Sequence, residues 1–394
     1  MADNIGAPGT DLSRRRFLKA TGAVGIGGLA GCSAPMNGDP ARQGDGSAGE
    51  TGASTGTGAA PQQNGGDLPL SGKPQIVDVD EQNNQVTLRA VTSRMPAHPG
   101  DAMGGPVELP RVWAWQADDR TPSVPGPVIR TTEGEDIEVT LDNTDANMPH
   151  TVHFHGVRKT WENDGVPTTT GMTVMPGEKH TYEIPANVPG THLYHCHYQT
   201  HRHIDMGMYG FFRVDPEGYE PADQELFMTV KDWDSRLNRQ MAGENVDYSP
   251  RQRHPDVFTM NGRVAPRTLH PEDGSPVLVS EGDTVRVHFG NNGYMQHPIH
   301  VHNHRYQVVE KDGSPIPENQ RIKQDVMPLS PAERKTIEFE ADADPGIYLM
   351  HCHKVSHAMN GTSYPGGMVN AVVYEDAMNS DVFAQLMDYA GYQA

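Results

Sequence analysis

The string HCHxxxH occurs twice in this chain, as His195-Cys196-His197 with His201 and as His351-Cys352-His353 with His357. The copies lie 156 residues apart (195 to 351). Each is preceded by HxxHxH: His150, His153 and His155 before the first, His297, His300 and His302 before the second. These windows hold 12 of the chain's 20 histidines in 26 of its 394 residues, which scattered structural histidines do not do. A chain written this way is built from two similar halves, each bringing two distant histidine-rich segments together.

On a strand, successive side chains point to opposite faces. His153 and His155 therefore share one face, as do the histidines flanking each cysteine, and the cysteine points the other way. His150, an odd number of residues from His153, falls on the cysteine's side. Each half then builds an inward group, His150, Cys196 and the loop residue His201 in the first, and His297, Cys352 and His357 in the second. Each also carries an outward set, His153, His155, His195 and His197, and then His300, His302, His351 and His353. Two imidazoles, a thiolate and a weak axial thioether are the blue-copper donor set. Eight imidazoles facing one another across an interface make a multinuclear site. A structural zinc site, by contrast, needs paired cysteines or Cys2His2 spacing, and each cluster here has a single cysteine.

At these residues the chain resembles the two-domain, laccase-like multicopper oxidases. The resemblance covers nearly all of residues 75 to 376 and extends to HFHG at 153–156, DG at 164–165, MPGE at 175–178, MGMYG at 206–210 and FTMNGR at 258–263. It implies a type 1 copper in each half that collects electrons. It also implies a trinuclear type 2/type 3 copper cluster on the outward histidines that reduces O2 to water. Met208 is the expected axial ligand of the first type 1 site, in a loop two residues longer than usual. Met368 is expected at the second, with Met359 as its rival in the insertion from Ala358 to Gly366. Asp164 matches an acidic residue near the cluster and is expected to relay protons. Family members assemble the cluster between neighbours in a ring of three chains, a heterologous contact that closes, so a homotrimer is expected. A copper nitrite reductase or electron-transfer protein is the alternative, but nitrite reductases of this build typically lack the histidine after the cysteine, a slot filled here by His197 and His353. Nineteen methionines leave room for cuprous-ion oxidation, although methionine is also a core filler.

The fold expected is all-β, two cupredoxin-like Greek-key β-sandwich domains in tandem over 75–215 and 222–376. Short alternating segments such as Ile137 to Leu141 and Val285 to Phe289, separated by Gly, Pro and Asn, carry that reading. Residues 377–394 form a tail in which Val382, Leu386 and Tyr389 fall at helical spacing. Ser13-Arg14-Arg15-Arg16-Phe17-Leu18-Lys19 followed by an apolar run too short to span a bilayer reads as a twin-arginine export signal over 1–32. Leu29-Ala30-Gly31-Cys32 has lipobox form, so lipidation at Cys32 is the one membrane attachment expected. Residues 33–74, poor in apolar side chains, read as a flexible tether. With three cysteines, one for lipid and two for copper, no disulfide remains. A net charge of -20, with 22 Arg and 9 Lys, suggests a surface suited to concentrated salt and disfavours nucleic acid as a partner. O2 and a small reducing substrate are the partners expected.

Overall fold

The computed structural model describes residues 70–392. The expected signal, nearly all of the expected tether and the last two residues lie outside those described. From Ile76 to Tyr374 the regular structure is mostly strand, arranged in four sheets. The first sandwich pairs a sheet of Val107–Ala117, Gln85–His98, Asp136–Asp142 and Lys179–Pro185 with one ordered Ile76–Asp78, Val128–Thr132, Tyr209–Asp215, Gly190–His195 and His153–Phe154. The second pairs a sheet containing Val257–Met260, Gln224–Trp233, Thr284–Asn291, Arg334–Glu340 and Tyr306–Lys311 with one ordered Val277–Val279, Val369–Tyr374, Ile347–Cys352, His297–Val301 and Val326–Leu329. Most neighbours are not consecutive in the chain, as crossovers between facing sheets require. The expected pair of cupredoxin-like β-sandwiches is the fold observed.

Local sequence explains the strands. Along Asp136–Asp142, Ile137, Val139 and Leu141 are buried while Asp136 and Glu138 are exposed, the period of two that sets one face against a core. Each sandwich has its own core, and each core contains its cysteine. Cys196 packs in the group with Trp115, Tyr182, Met206 and Met208. Cys352 packs in the group with Phe258, Met327, Met350 and Met368.

The two sandwiches are joined by a buried, partly charged seam. Leu193, Phe211 and Val128 meet Phe227. Beside them Arg213, 3% exposed, reaches Asp215 at 2.7 Å and Glu310 of the second sandwich at 2.9 Å. Arg130 bridges to Asp215 and Glu225, and Glu225 also meets the fully buried His288 at 2.9 Å. Gly190 sits in this seam at φ +131°, where a Cβ would stand 2.4 Å from the Gly313 carbonyl oxygen, so only glycine fits. The seam uses the sheet of the second sandwich that does not carry His297–Val301. The Gln85–His98 and Val107–Ala117 hairpin also reaches across, its Met103 carbonyl accepting from Asn360 Nδ2 at 3.2 Å within the 358–366 insertion.

The tail does form a helix, Asp381–Tyr389, capped by the Ser380 hydroxyl. Its packed face is Phe383, Leu386 and Met387 against Leu269 and Ala371, whereas Val382 is 61% exposed.

Candidate metal centres

In each sandwich a buried thiol and two imidazoles converge. His150, Cys196 and His203 form one group and His297, Cys352 and His357 the other. In the first, Cys196 Sγ lies 3.1 Å from His203 Nδ1 and 3.7 Å from His150 Nδ1. In the second, Cys352 Sγ lies 3.8 Å from both His297 Nδ1 and His357 Nδ1, and those two nitrogens are 3.0 Å apart. Burial pushes the Cys196 thiol up to about 12 and the Cys352 thiol up to about 11. It pushes the imidazoles down, His150 to about 3, His203 to about 4 and His357 to about 3. Neutral imidazoles around a thiol that ionises only with a cation beside it are what a metal needs from its ligands.

His201 is not part of this group; His203 takes the place expected for it. Gln199 adopts a left-handed conformation (φ 43°), and Thr200–His203 then form a helical turn that leaves His201 exposed and buries His203. The two extra residues of this loop thus precede the second imidazole. The main chain makes the equivalence explicit. The Met208 N–H donates to the His203 carbonyl at 3.0 Å and the Cys196 N–H to the Met208 carbonyl at 3.1 Å; Met368, His357 and Cys352 repeat both bonds at 2.8 and 3.1 Å. The sequence signal was the longer loop itself: His203 lies seven residues after Cys196 and His357 five after Cys352, so the two extra residues could fall before the imidazole. Met208 and Met368 are both fully buried beside their cysteines, whereas the rival Met359 is only partly buried.

The outward histidines assemble as the strand alternation requires. His153, His155, His195 and His197 have ring centroids 5.0 to 5.6 Å apart. His300, His302, His351 and His353 repeat the arrangement at 4.7 to 5.7 Å. Their tautomers are set by carbonyls. His195 Nδ1 donates to the Cys196 carbonyl at 3.0 Å and His351 Nδ1 to the Cys352 carbonyl at 3.1 Å. His153 Nδ1 donates to the Asp164 carbonyl at 2.7 Å and His300 Nδ1 to the Asp325 carbonyl at 2.8 Å. In all four, Nε2 is then the unprotonated nitrogen and carries the lone pair. His155 Nε2 faces His195 Nε2 at 2.9 Å and His302 Nε2 faces His351 Nε2 at 3.0 Å. Each contact needs one proton between two acceptor nitrogens, a position that a bound cation takes over. His304, by contrast, is satisfied by the His302 carbonyl and the Tyr374 hydroxyl, which makes it a support for the site.

Asp164 sits beside His153. Its carboxylate lies 3.3 Å from His153 Nδ1 and 3.0 Å from Lys159 Nζ. Partial burial raises its pKa, but the Lys159 hydrogen bond and charge outweigh that and hold it below the usual carboxylate range. Two further acids were not singled out from sequence. Asp325 is the counterpart of Asp164 against His300, and both stand three residues ahead of a proline, in Asp164-Gly165-Val166-Pro167 and Asp325-Val326-Met327-Pro328. Asp232, fully enclosed, accepts from His297 Nε2 at 3.0 Å; no local motif announces it. An open cleft of about 750 Å³ flanks the second outward set, lined by Tyr294, Met295, Pro298, Val326, His353 and Lys354.

Fold and donor set together define a copper oxidoreductase: a buried Cys/His2 group with a neighbouring methionine, and imidazole-only groups one residue away. Residues 119–218 and 247–365 each match a sequence profile described as multicopper oxidase. A blue copper oxidase structure from Nitrosomonas europaea is 29% identical with a TM-score of 0.64, over 75% of this chain and 87% of that one. The structure of a multicopper oxidase called mgLAC is 30% identical with a TM-score of 0.63, over the same shares. The copper-containing nitrite reductase of Neisseria meningitidis serogroup B is 27% identical over 289 residues, 72% of this chain and 68% of its own length. The chain belongs to the multicopper oxidase family.

Proposed function

We propose that this chain is a laccase-like oxidase. It takes four single electrons from a phenolic, aromatic-amine or metal-ion substrate and passes them, with four protons, to O2 to give two waters. The observation that carries this reading is the presence of His197 and His353, which complete a four-imidazole face in each sandwich. In this reading His150, Cys196, His203 and Met208 hold one type 1 copper, and His297, Cys352, His357 and Met368 a second. The eight outward imidazoles hold the trinuclear set. Copper at these positions supplies one-electron redox chemistry; the protein supplies the route and the protons. Cys196 is bonded through the main chain to His195 and His197, and the bond from His195 Nδ1 to the Cys196 carbonyl adds a short cut, repeated at His351 and Cys352. Asp164, kept ionised by Lys159 and set against His153, is placed to accept and hand on protons.

The homotrimer fits the same geometry. The seam within the chain occupies the sheet of the second sandwich opposite to His297–Val301, which leaves the His300 face free for another chain. Large apolar side chains stand exposed near both faces, Trp161 at 61% in the turn that ends at Asp164, and Tyr294 at 57% and Val355 at 50% beside His353. Export by the twin-arginine route with a lipid on Cys32 belongs to the same reading and rests on the N-terminal sequence.

The names of the Neisseria relatives favour a nitrite reductase as the second reading. The deciding experiment gives the copper-loaded protein a phenolic donor, cuprous ion or neither, with O2 or nitrite as acceptor. Oxygen uptake with negligible nitrite turnover is expected. Robust nitrite reduction without oxygen uptake decides for the alternative.

A further inference from the structure

Asp232 is 2% exposed in the Gln224–Trp233 strand, and one of its oxygens takes three hydrogen bonds. Oδ1 accepts from the main-chain N–H of Tyr294 at 2.9 Å, from that of Met295 at 3.0 Å and from His297 Nε2 at 3.0 Å. The carboxylate thereby fixes both the loop entering the His297–Val301 strand and the far nitrogen of the ring whose Nδ1 faces Cys352. Cations stand near as well, and the charge of Lys231 helps hold Asp232 ionised. Lys231 Nζ donates to the Asp232 main-chain carbonyl and pairs with Asp205 at 3.2 Å, and Asp205 pairs with Arg253.

Among the described residues, the first sandwich has no equivalent carboxylate. Asn143 and Asn291 are counterparts, since each side-chain amide donates to two loop carbonyls, those of Met148 and Val174 and those of Met295 and Leu329. Val230 pairs with Asn291, and Arg89 with Asp142, so Ala90 corresponds to Val230 and Thr92 to Asp232. The antiparallel neighbours agree. Asp232 pairs with Phe258, which stacks on His357 at 4.1 Å, and Thr92 pairs with Trp113, which lies against His203 at 4.7 Å. Thr92 is exposed and neutral. Among the described residues, His150 has the Cys196 thiol and the rings of Trp115 and His203 as its neighbours, and no carboxylate.

We propose that Asp232 is a positioning residue that makes the two Cys/His2 sites inequivalent, so that the second is the harder to reduce and the first takes up the first electron. The proposal rests on the copper reading above. An imidazole that gives its N–H to a carboxylate is a stronger donor, and the nearby negative charge favours the more positive, oxidised metal. An aromatic wall without that charge favours the reduced one.

The test is a potentiometric titration of copper-loaded single-site variants, read by the thiolate-to-copper visible band. Cys196→Ser retains only the second site and Cys352→Ser only the first. The second-site band is expected to bleach at the lower potential. Asp232→Asn keeps the oxygen that accepts all three hydrogen bonds but loses the charge. In the Cys196→Ser background it is expected to shift the midpoint upward with the band retained, and in the Cys352→Ser background to leave the midpoint unmoved. Equal or reversed midpoints in the single-site variants, or no shift on Asp232→Asn, overturn the proposal. Absence of a visible band from both copper-loaded single-site variants overturns the copper reading and the proposal with it.

Discussion

The main-chain N–H of Met208 donates to the carbonyl of His203 at 3.0 Å, tying the residue that leads into the Tyr209–Asp215 strand to one of the two imidazoles beside Cys196. The same bond joins Met368 to His357. His203→Ala is therefore expected to abolish the first type 1 site, removing about half of the visible band if both sites contribute equally. His201→Ala, at an exposed position, leaves the band intact. Copper-loaded absorption spectra of the two variants check this, and the reverse outcome would restore His201 as the ligand.

Acid should destabilise the copper-free protein. Burial depresses His150, His195 and His357 to about 3 and His203 to about 4, whereas an unfolded histidine titrates near 6.5. Above about pH 6.5 both states are neutral and nothing is lost. As pH falls from there towards 4, the unfolded chain takes up protons that the folded one refuses, so stability declines. Thermal unfolding of the copper-free protein between pH 8 and 4 should show Tm falling only below that point; a flat profile contradicts the burial argument. Because both thiols are raised, copper uptake at neutral pH should also release protons, measurable in weakly buffered solution.

Arg213 is buried between Asp215 and Glu310 at the seam, with its guanidinium 4.9 Å from the Tyr219 ring centroid. Arg213→Ala leaves Glu310 enclosed without its cation and Asp215 with Arg130 alone, and is expected to cost about 3–5 kcal/mol. Denaturant unfolding measures it. A loss below about 1 kcal/mol, the size of an exposed pair, would mean the seam is wetter than its burial indicates.

Assembly can be tested by mixing. A variant lacking His153 and His155 and another lacking His300 and His302 should each be inactive. Mixed rings contain junctions at which an intact first sandwich meets an intact second one, so co-assembly should restore part of the oxygen uptake. Mixed oligomers that stay inactive would place the cluster within single chains.

The ligand chemistry was legible because it depends on strand alternation, which is local. Residues two apart share a face wherever they lie, so the grouping of the outward octet, and the opposite side for both cysteines with His150 and His297, could be read before any packing was known; His357, in the turn Val355–Ala358, came from the repeat of the motif. The same period of two in Ile137-Glu138-Val139 and its kin made the two sandwiches readable. His201 failed for a reason of the same kind. The segment after His197 is a turn and not a strand, and Gln199 in its left-handed conformation decides which imidazole swings inward.

Other features depend on pairing between distant strands. Asp232 reaches His297 only because Gln224–Trp233 runs beside Thr284–Asn291 in one register; a shift of one residue would turn the carboxylate to the other face. The seam of Arg130, Arg213, Glu225, His288 and Glu310 draws its charges from strands up to 180 residues apart (130 to 310). What the sequence by itself determined is the donor set and the duplicated β architecture, because both are written in residue type and short-range period. What only the tertiary structure decided is which loop histidine completes the first site and which buried acid stands behind the second, because turn conformation and strand register are settled by packing.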